Sequence, residues 1–289
     1  MLSNMSELPQ FPEIEEVDVK DFFPEAPSRL VPRTKELFFP DSWTQCYAAG
    51  LRKLPSLYQD FAKQVFCEIG IGTGLIPLGM RSIPGGPAVV IGSDIKMEAV
   101  EATRRLLEKA GLRNGAPFIQ SDLLKDYPPG CLRSIHHFAG CIPQVEAPVA
   151  MDIQQSDNSS HYYIPHGNPR DKFGLGLNDD FIAQATEHSP QASITLNLSG
   201  RPGLERLTEM FRSHGREPQV LHEVMVSQHI GTSLETLVRH ERADGIPYEF
   251  YADAQGRRQI TASEAEQRRL KGEASHHKIY VVHARALTA

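Results

Sequence analysis

The chain has 289 residues, 40% of them hydrophobic and 23% charged, which excludes wholesale disorder and leaves room for one large α/β domain or two small ones. Thirty-six acidic against 30 basic side chains give a formal net charge of -6, which argues against a surface built to neutralise nucleic-acid phosphates. No apolar run approaches the ~20 residues of a bilayer span, and the acidic start MLSNMSELPQFPEIEEVDV has no signal-peptide pattern. Cys46, Cys67, Cys131 and Cys141 lie far apart, without CxxC spacing, and suit reduced thiols in packing roles, so a cytoplasmic protein is expected.

The segment up to residue 40, rich in Pro, Glu and Asp, is expected to be an extended arm with a frayed start, or else a cap or lid. From Ser42 a helical pattern broken by Pro55 leads into a buried strand, Gln64 to Ile69. Strand and helix patterns then alternate: a short helix Leu75 to Met80, strand Ala88 to Ser93, helix Met97 to Ala110, then strands Phe118 to Ser121 and Ile135 to Ala139. A polar stretch, 154–172, precedes a helix Asn178 to Glu187, a strand Ala192 to Leu198, a helix Leu204 to His214 and a long strand Gln219 to Gln228. A hairpin-like Glu249 to Tyr251, a charged helix Ser263 to Lys271 and a strand Lys278 to His283 complete the chain. Such alternation predicts βαβ units around a parallel sheet.

The strongest local signal is Glu68-Ile69-Gly70-Ile71-Gly72-Thr73-Gly74, between a strand and a helix. Glycines let the backbone turn sharply and approach a ligand, and the helix N-terminus offers free N–H groups. Neither register satisfies GxGxxG: Leu75 or Pro77 falls where the third glycine belongs. Asp94 ends the next strand, where a carboxylate can accept from both hydroxyls of a ribose. Asp122, with Leu123 beside it, follows the third strand. Each acid alone is also compatible with a helix N-cap, and the glycine loop alone with a plain turn.

The acidic-x-Gly-x-Gly-x-Gly loop with its two downstream acids resembles motif I and its neighbours in class I S-adenosylmethionine-dependent methyltransferases. The resemblance implies an α/β fold of Rossmann-like, class I methyltransferase type: a seven-stranded, mostly parallel sheet with an antiparallel C-terminal strand. It places residues 1–60 in an N-terminal arm and helical cap and 61–289 in the methyltransferase domain. S-adenosyl-L-methionine is the implied cofactor, held by Glu68, Gly70, Gly72, Gly74, Asp94, Asp122, Leu123, Cys141 and Trp43, with Glu68 near its ammonium and Asp122 at the adenine amino group. Where related amino methyltransferases carry Asn-Pro-Pro-Tyr, this chain has Gly140-Cys141-Ile142-Pro143-Gln144, without the asparagine that accepts hydrogens from a substrate nitrogen.

That stretch, with Phe39-Pro40-Asp41-Ser42-Trp43, Phe173-Gly174-Leu175-Gly176-Leu177, Asn197-Leu198-Ser199-Gly200-Arg201-Pro202-Gly203 and Gly231-Thr232-Ser233, resembles the methyltransferase domain of methionine S-methyltransferases from about Phe38 to Tyr251. It is more similar to short bacterial members that open dimethylsulfoniopropionate-type or related sulfonium pathways than to plant members with a long extension. The implied reaction is methyl transfer to the thioether sulfur of L-methionine, giving S-methyl-L-methionine. A thioether carries no proton, so in-line displacement can proceed by positioning and electrostatics without a general base.

Tyr162, Tyr163 and Trp43 are candidate aromatic faces for a sulfonium product. Arg201 and Asn197, with Arg170, Asp171 and Asp179 as further candidates, are expected near the acceptor's charged ends. The adjacent pairs His136-His137 and His276-His277 lack metal-ligand spacing, are expected to be packed or solvated, and no metal is expected. The partners expected are L-methionine and further copies of this chain, with no nucleic acid and no membrane. Two alternatives stand beside this reading: an N-methyltransferase acting on a small amine or a protein glutamine, and a non-catalytic S-adenosylmethionine-binding module.

Overall fold

A computed structural model describes residues 15–112, 117–128, 130–144, 146 and 167–287. The expected frayed start, residues 1–14, lies outside the described residues, and the described part of the expected arm is folded: β1 (Glu16–Asp18) pairs antiparallel with β2 (Leu30–Pro32). Asp18 closes the loop between them, accepting from the N–H groups of Lys20 and Arg29. Phe22 and Phe23 of this hairpin are buried, and Phe23 lies so close over a helical glycine, Gly79, that a Cβ there would meet its ring at 2.1 Å. Charge-rich composition predicted an extended segment; the four aromatic and aliphatic positions Val19, Phe22, Phe23 and Val31 overrode it by burial.

Asp41 caps α1 (Ser42–Leu51), accepting from the N–H groups of Trp43 and Thr44. Two 3-10 turns around Pro55 and Ala62 lead to β3 (Val65–Ile69). Then follow α2 (Leu75–Ser82), β4 (Val89–Asp94), α3 (Met97–Lys109), β5 (Phe118–Gln120), β6 (His137–Gly140), α4 (Gly176–His188), β7 (Ser193–Ser199), α5 (Leu204–Arg212) and β8 (Arg216–Ser227). The last stretch comprises α6 (Glu235–Asp244), β9 (Phe250–Tyr251), β10 (Gln259–Ile260), α7 (Ala262–Leu270) and β11 (His276–Ala286).

Seven strands lie in the order β5-β4-β3-β6-β7-β11-β8. The first five are parallel, and β11 is inserted antiparallel between β7 and β8. The two-stranded ribbon β9-β10 continues the sheet where β7 stops, with His276 of β11 opposite Tyr251, so the described sheet has nine strands rather than the seven expected.

Alternating side chains put the sheet between two apolar layers. Phe66, Val90, Ile279 and Val281 pack with α1, α2, α3 and the β1-β2 hairpin, and Cys67, Ile91, Tyr280 and Val282 pack with α4 and α5. A smaller cluster joins α6, α7, β9 and β10 through Leu237, Tyr248, Phe250 and Ala265. No helix among the described residues is long and apolar enough to cross a membrane.

Candidate functional site

The chain leaves β3 and passes through α2 to β4 on one side of it, whereas β6 lies on the other side of β3, so a crevice opens at the C-terminal strand ends where the order reverses. A cavity of about 450 Å³ occupies it. Its wall takes residues strand by strand along that edge: Asp122 and Leu123 after β5, Asp94 of β4, Glu68 to Gly72 at and after the end of β3, Cys141 to Gln144 after β6, Arg201 after β7, His277 of β11 and Gln228 after β8. Segment 36–41, Trp43 and Tyr47 of α1 close it from above.

The glycine loop follows its steric requirements. Gly70, Gly72 and Gly74 all have positive φ, at +76°, +51° and +83°. A Cβ on Gly70 or Gly72 would point into open space, which leaves the backbone bare toward the cavity. Gly74 differs, since its Cβ would lie 2.7 Å from Thr103 Cα; it lets the start of α2 rest on α3 and does not line the cavity. Asp94 holds the loop, accepting from Gly72 N–H at 3.0 Å through one oxygen and from Lys96 N–H at 3.0 Å through the other. Each carboxylate oxygen keeps a further lone pair for a ligand hydroxyl.

Glu68 is 2% exposed, and its Oε2 has no hydrogen-bond partner among the described residues. Burial, reinforced by the neighbouring Asp94, pushes its carboxyl well above the usual range. Burial likewise raises Asp94, offset by its two backbone donors. Two carboxylates, with no cationic side chain bonded to Glu68 among the described residues, make this end of the cavity a place for a cationic ligand group. Leu123 takes φ +53°, a left-handed conformation unusual for a branched side chain, beside Asp122. The Asp122 side chain is also bonded by Lys125.

Of the expected residues, Trp43, Glu68, Gly70, Gly72, Asp94, Asp122, Leu123, Cys141 and Arg201 line the cavity. Asn197 is buried behind it, donating through Nδ2 to Trp43 C=O at 3.0 Å and to Cys141 Sγ at 3.3 Å, so it ties α1 to β7. Burial pushes the Cys141 thiol up to about 12, which keeps it protonated. Arg201 donates from Nε to Ser199 Oγ and sits 3.4 Å from Glu146. Arg170 and Asp179 are paired with each other at 3.0 Å, with His214 also on Asp179, and Asp171 accepts from Gly167 N–H; none of the three lines the cavity. Tyr162 and Tyr163 lie outside the described residues.

Sequence reasoning passed over Tyr47 and Gln228, and read His277 only as a packed or solvated residue. Tyr47 is buried in the wall with its hydroxyl unpartnered among the described residues. His277, expected to be packed or solvated, is 4% exposed in the wall with its ring 5.9 Å from that of Trp43, and neither nitrogen has a partner among the described residues. Burial, then the charge of Arg201, drives its pKa well below the ordinary histidine value, so the imidazole is neutral.

The strand order, the glycine loop and the acids at the ends of β4 and β5 define the class I methyltransferase fold. The residues present fit S-adenosylmethionine: a bare glycine turn for close approach, Asp94 for ribose hydroxyls, and the unpartnered Glu68 carboxylate for an ammonium. No protein-family model matches the chain. It is 27% identical over 260 residues to the methionine S-methyltransferase of Wollastonia biflora, an alignment taking in 79% of this chain but 23% of that protein, so the chain spans about a quarter of its length. Among solved structures it is similar to precorrin-6y C5,15-methyltransferase from Geobacter metallireducens (16% identity, 96% of this chain and 100% of that one, TM-score 0.42). Another is a SAM-dependent methyltransferase from Thiobacillus denitrificans in complex with S-adenosyl-L-homocysteine (13% identity, 82% and 90%, TM-score 0.42).

Proposed function

We propose that the protein transfers a methyl group from S-adenosylmethionine to the thioether sulfur of L-methionine. When bound, the cofactor supplies a methyl carbon activated by a sulfonium. The methionine sulfur's lone pair forms the new S–CH3 bond as the cofactor's S–CH3 bond breaks; that electron pair leaves with S-adenosylhomocysteine, and no proton moves. Glu68 and Asp94 hold the cofactor's ammonium and ribose, with Asp122 and Leu123 at the base, and segment 36–43 excludes water. Residues 1–60 act as the arm and cap of a methyltransferase domain spanning 61–289.

The observation that carries the choice of sulfur over nitrogen is Gln144. Its Oε1 accepts the Ser199 backbone N–H, a group that can only donate, so the Nε2 that remains is a donor, without a partner among the described residues. An amine or amide acceptor needs a hydrogen-bond acceptor at the end of β6, and this side chain offers none. The similarity to methionine S-methyltransferase supports the same reading.

A second reading, N-methylation of a small amine or glutamine, is favoured by one feature: neutral His277 offers a hydrogen-bond acceptor in the cavity wall. Incubation with methyl-labelled cofactor and an amino-acid panel, followed by mass spectrometry, separates the two. Labelled S-methylmethionine with an unmodified α-amine is expected, with a rate flat in pH apart from acceptor ionisation. Label on nitrogen, or a strict requirement for a deprotonated enzyme group, overturns the proposal.

A further inference from the structure

At the β11 side of the cavity several buried polar atoms are left without partners among the described residues: both ring nitrogens of His277, Oε1 of Gln228 and Nε2 of Gln144. They come from three separate strand ends yet line one cavity together with Arg201. The register explains the convergence. Ile279 of β11 lies opposite Ser199 of β7, so two residues further out His277 comes level with Arg201. On its other side His277 lies opposite Val226 of β8, and Gln228 N–H donates to Ser275 C=O at 2.8 Å, fixing Gln228 next to it. Gln144 reaches the same corner from β6 by its bond to Ser199 N–H, two residues before Arg201.

The chemistry of these groups is paired. Gln144 Nε2 and the Arg201 guanidinium donate. Gln228 Oε1 accepts, and a neutral imidazole supplies one lone pair and one N–H. Donors with a positive charge suit a carboxylate, and lone pairs without a positive charge of their own suit an ammonium. Glu68 stands on β3, three strand spacings from β11, roughly 14 Å at ~4.8 Å per strand, so this corner is separate from the cofactor's ammonium site.

We propose that this corner is the amino-acid clamp of the acceptor site: His277 and Gln228 accept from the α-ammonium of a zwitterionic acceptor, while Gln144 and Arg201 donate to its α-carboxylate, leaving the thioether directed toward β6. The assignment rests on the methyl-transfer reading above and makes His277 and Gln228 specificity-determining. A thioether lacking the ammonium leaves their buried polar atoms unpaired and is rejected, as sites built to hydrogen-bond a substrate group reject analogues without it.

The test uses the full chain with His277→Phe, which keeps a ring against Trp43, and Gln228→Met, which keeps side-chain length. Release of S-adenosylhomocysteine is followed with L-methionine, N-acetyl-L-methionine and 3-(methylthio)propanoate, and binding of S-adenosylhomocysteine is measured by calorimetry to verify an intact fold. The wild-type protein is expected to prefer methionine to 3-(methylthio)propanoate by roughly 10⁴-fold in kcat/KM. In a folded variant, kcat/KM for methionine falls about 100-fold, mostly through KM, while the propanoate changes little, so the preference collapses. An unchanged preference in both folded variants, or an equal fall for every acceptor through kcat, overturns the clamp. Should the wild-type protein methylate no thioether, the sulfur reading fails by itself. The clamp is then judged by calorimetry of methionine with S-adenosylhomocysteine present: binding lost in the variants supports it, and binding unchanged or absent overturns it.

Discussion

Replacing Glu68 with Gln should move ligand-free stability and cofactor affinity in opposite directions. Glutamine keeps the shape and removes the charge from a carboxylate that is 2% exposed and carries an unpartnered oxygen. Because burial raises the folded-state pKa above its ordinary value of 4.5, the folded protein holds that proton more tightly than the unfolded chain. Its contribution to stability is therefore full below about 4.5 and is lost as the pH rises through the folded value. Glutamine mimics the protonated form, so Glu68→Gln should leave Tm almost unchanged near pH 4 and raise it at pH 8. An unsatisfied buried polar group costs about 1–3 kcal/mol, more when charged. At ~2–4 °C per kcal/mol for a chain of this size, the gain is about 2–12 °C. With ligand the sign reverses: losing a charge-assisted hydrogen bond to the ammonium, about 1.5–3 kcal/mol, weakens binding roughly 10- to 150-fold. Scanning calorimetry at the two pH values and titration calorimetry with S-adenosylhomocysteine measure both. Undiminished affinity, or a Tm difference that does not grow with pH, would refute the assignment.

Gly74→Ala should destabilise by about 2–5 kcal/mol in urea melts, since it combines a φ of +83° with a Cβ 2.7 Å from Thr103 Cα. Gly72→Ala, at φ +51° with nothing within 4 Å, should cost only about 1–2 kcal/mol in the same melts but weaken cofactor binding in calorimetry. Phe23→Ala should cost about 3–5 kcal/mol of global stability by denaturant titration, because the ring is fully buried over Gly79. His283, bonded to Tyr58 Oη and Thr195 Oγ1, is held by burial at about 3, so its contribution is full above 6.5 and drains away as the pH falls toward 3. His283→Gln should flatten the acid side of the Tm–pH curve, by roughly 1–2 kcal/mol at pH 5.

Elements with local signatures were legible in the sequence. The β3 run ending at the glycine loop, the strand ending in Asp94 and the amphipathic α3 announce themselves within a dozen residues, and with them the cavity wall from Glu68 to Asp94. What stayed hidden depends on distant partners. The charged stretch forming α6, ETLVRHERAD, shows little apolar periodicity, and its Leu237 and Val238 are buried only because the α7 and β9-β10 segment covers them. His277 looks like one of two alternating strand residues; Trp43, more than 230 positions earlier, makes its face an interior one. Arg170 and Asp179 look like a substrate clamp in sequence and are instead each other's partners.

Gly50 of α1 lies so near Val281 of β11 that a Cβ there would meet it at 2.5 Å. The helix therefore rests directly on a strand that leaves the ribosome about 230 residues after it. During synthesis the apolar face of α1, with Tyr47 and Leu51, has no finished seat until the antiparallel strand inserts between β7 and β8. Seating of α1 on the sheet thus waits for β11, with a large loop to close, and the growing chain carries that apolar face exposed until then. Slow refolding from denaturant, relative to a domain of more local connectivity, is the expected consequence of a helix seated on so distant a strand.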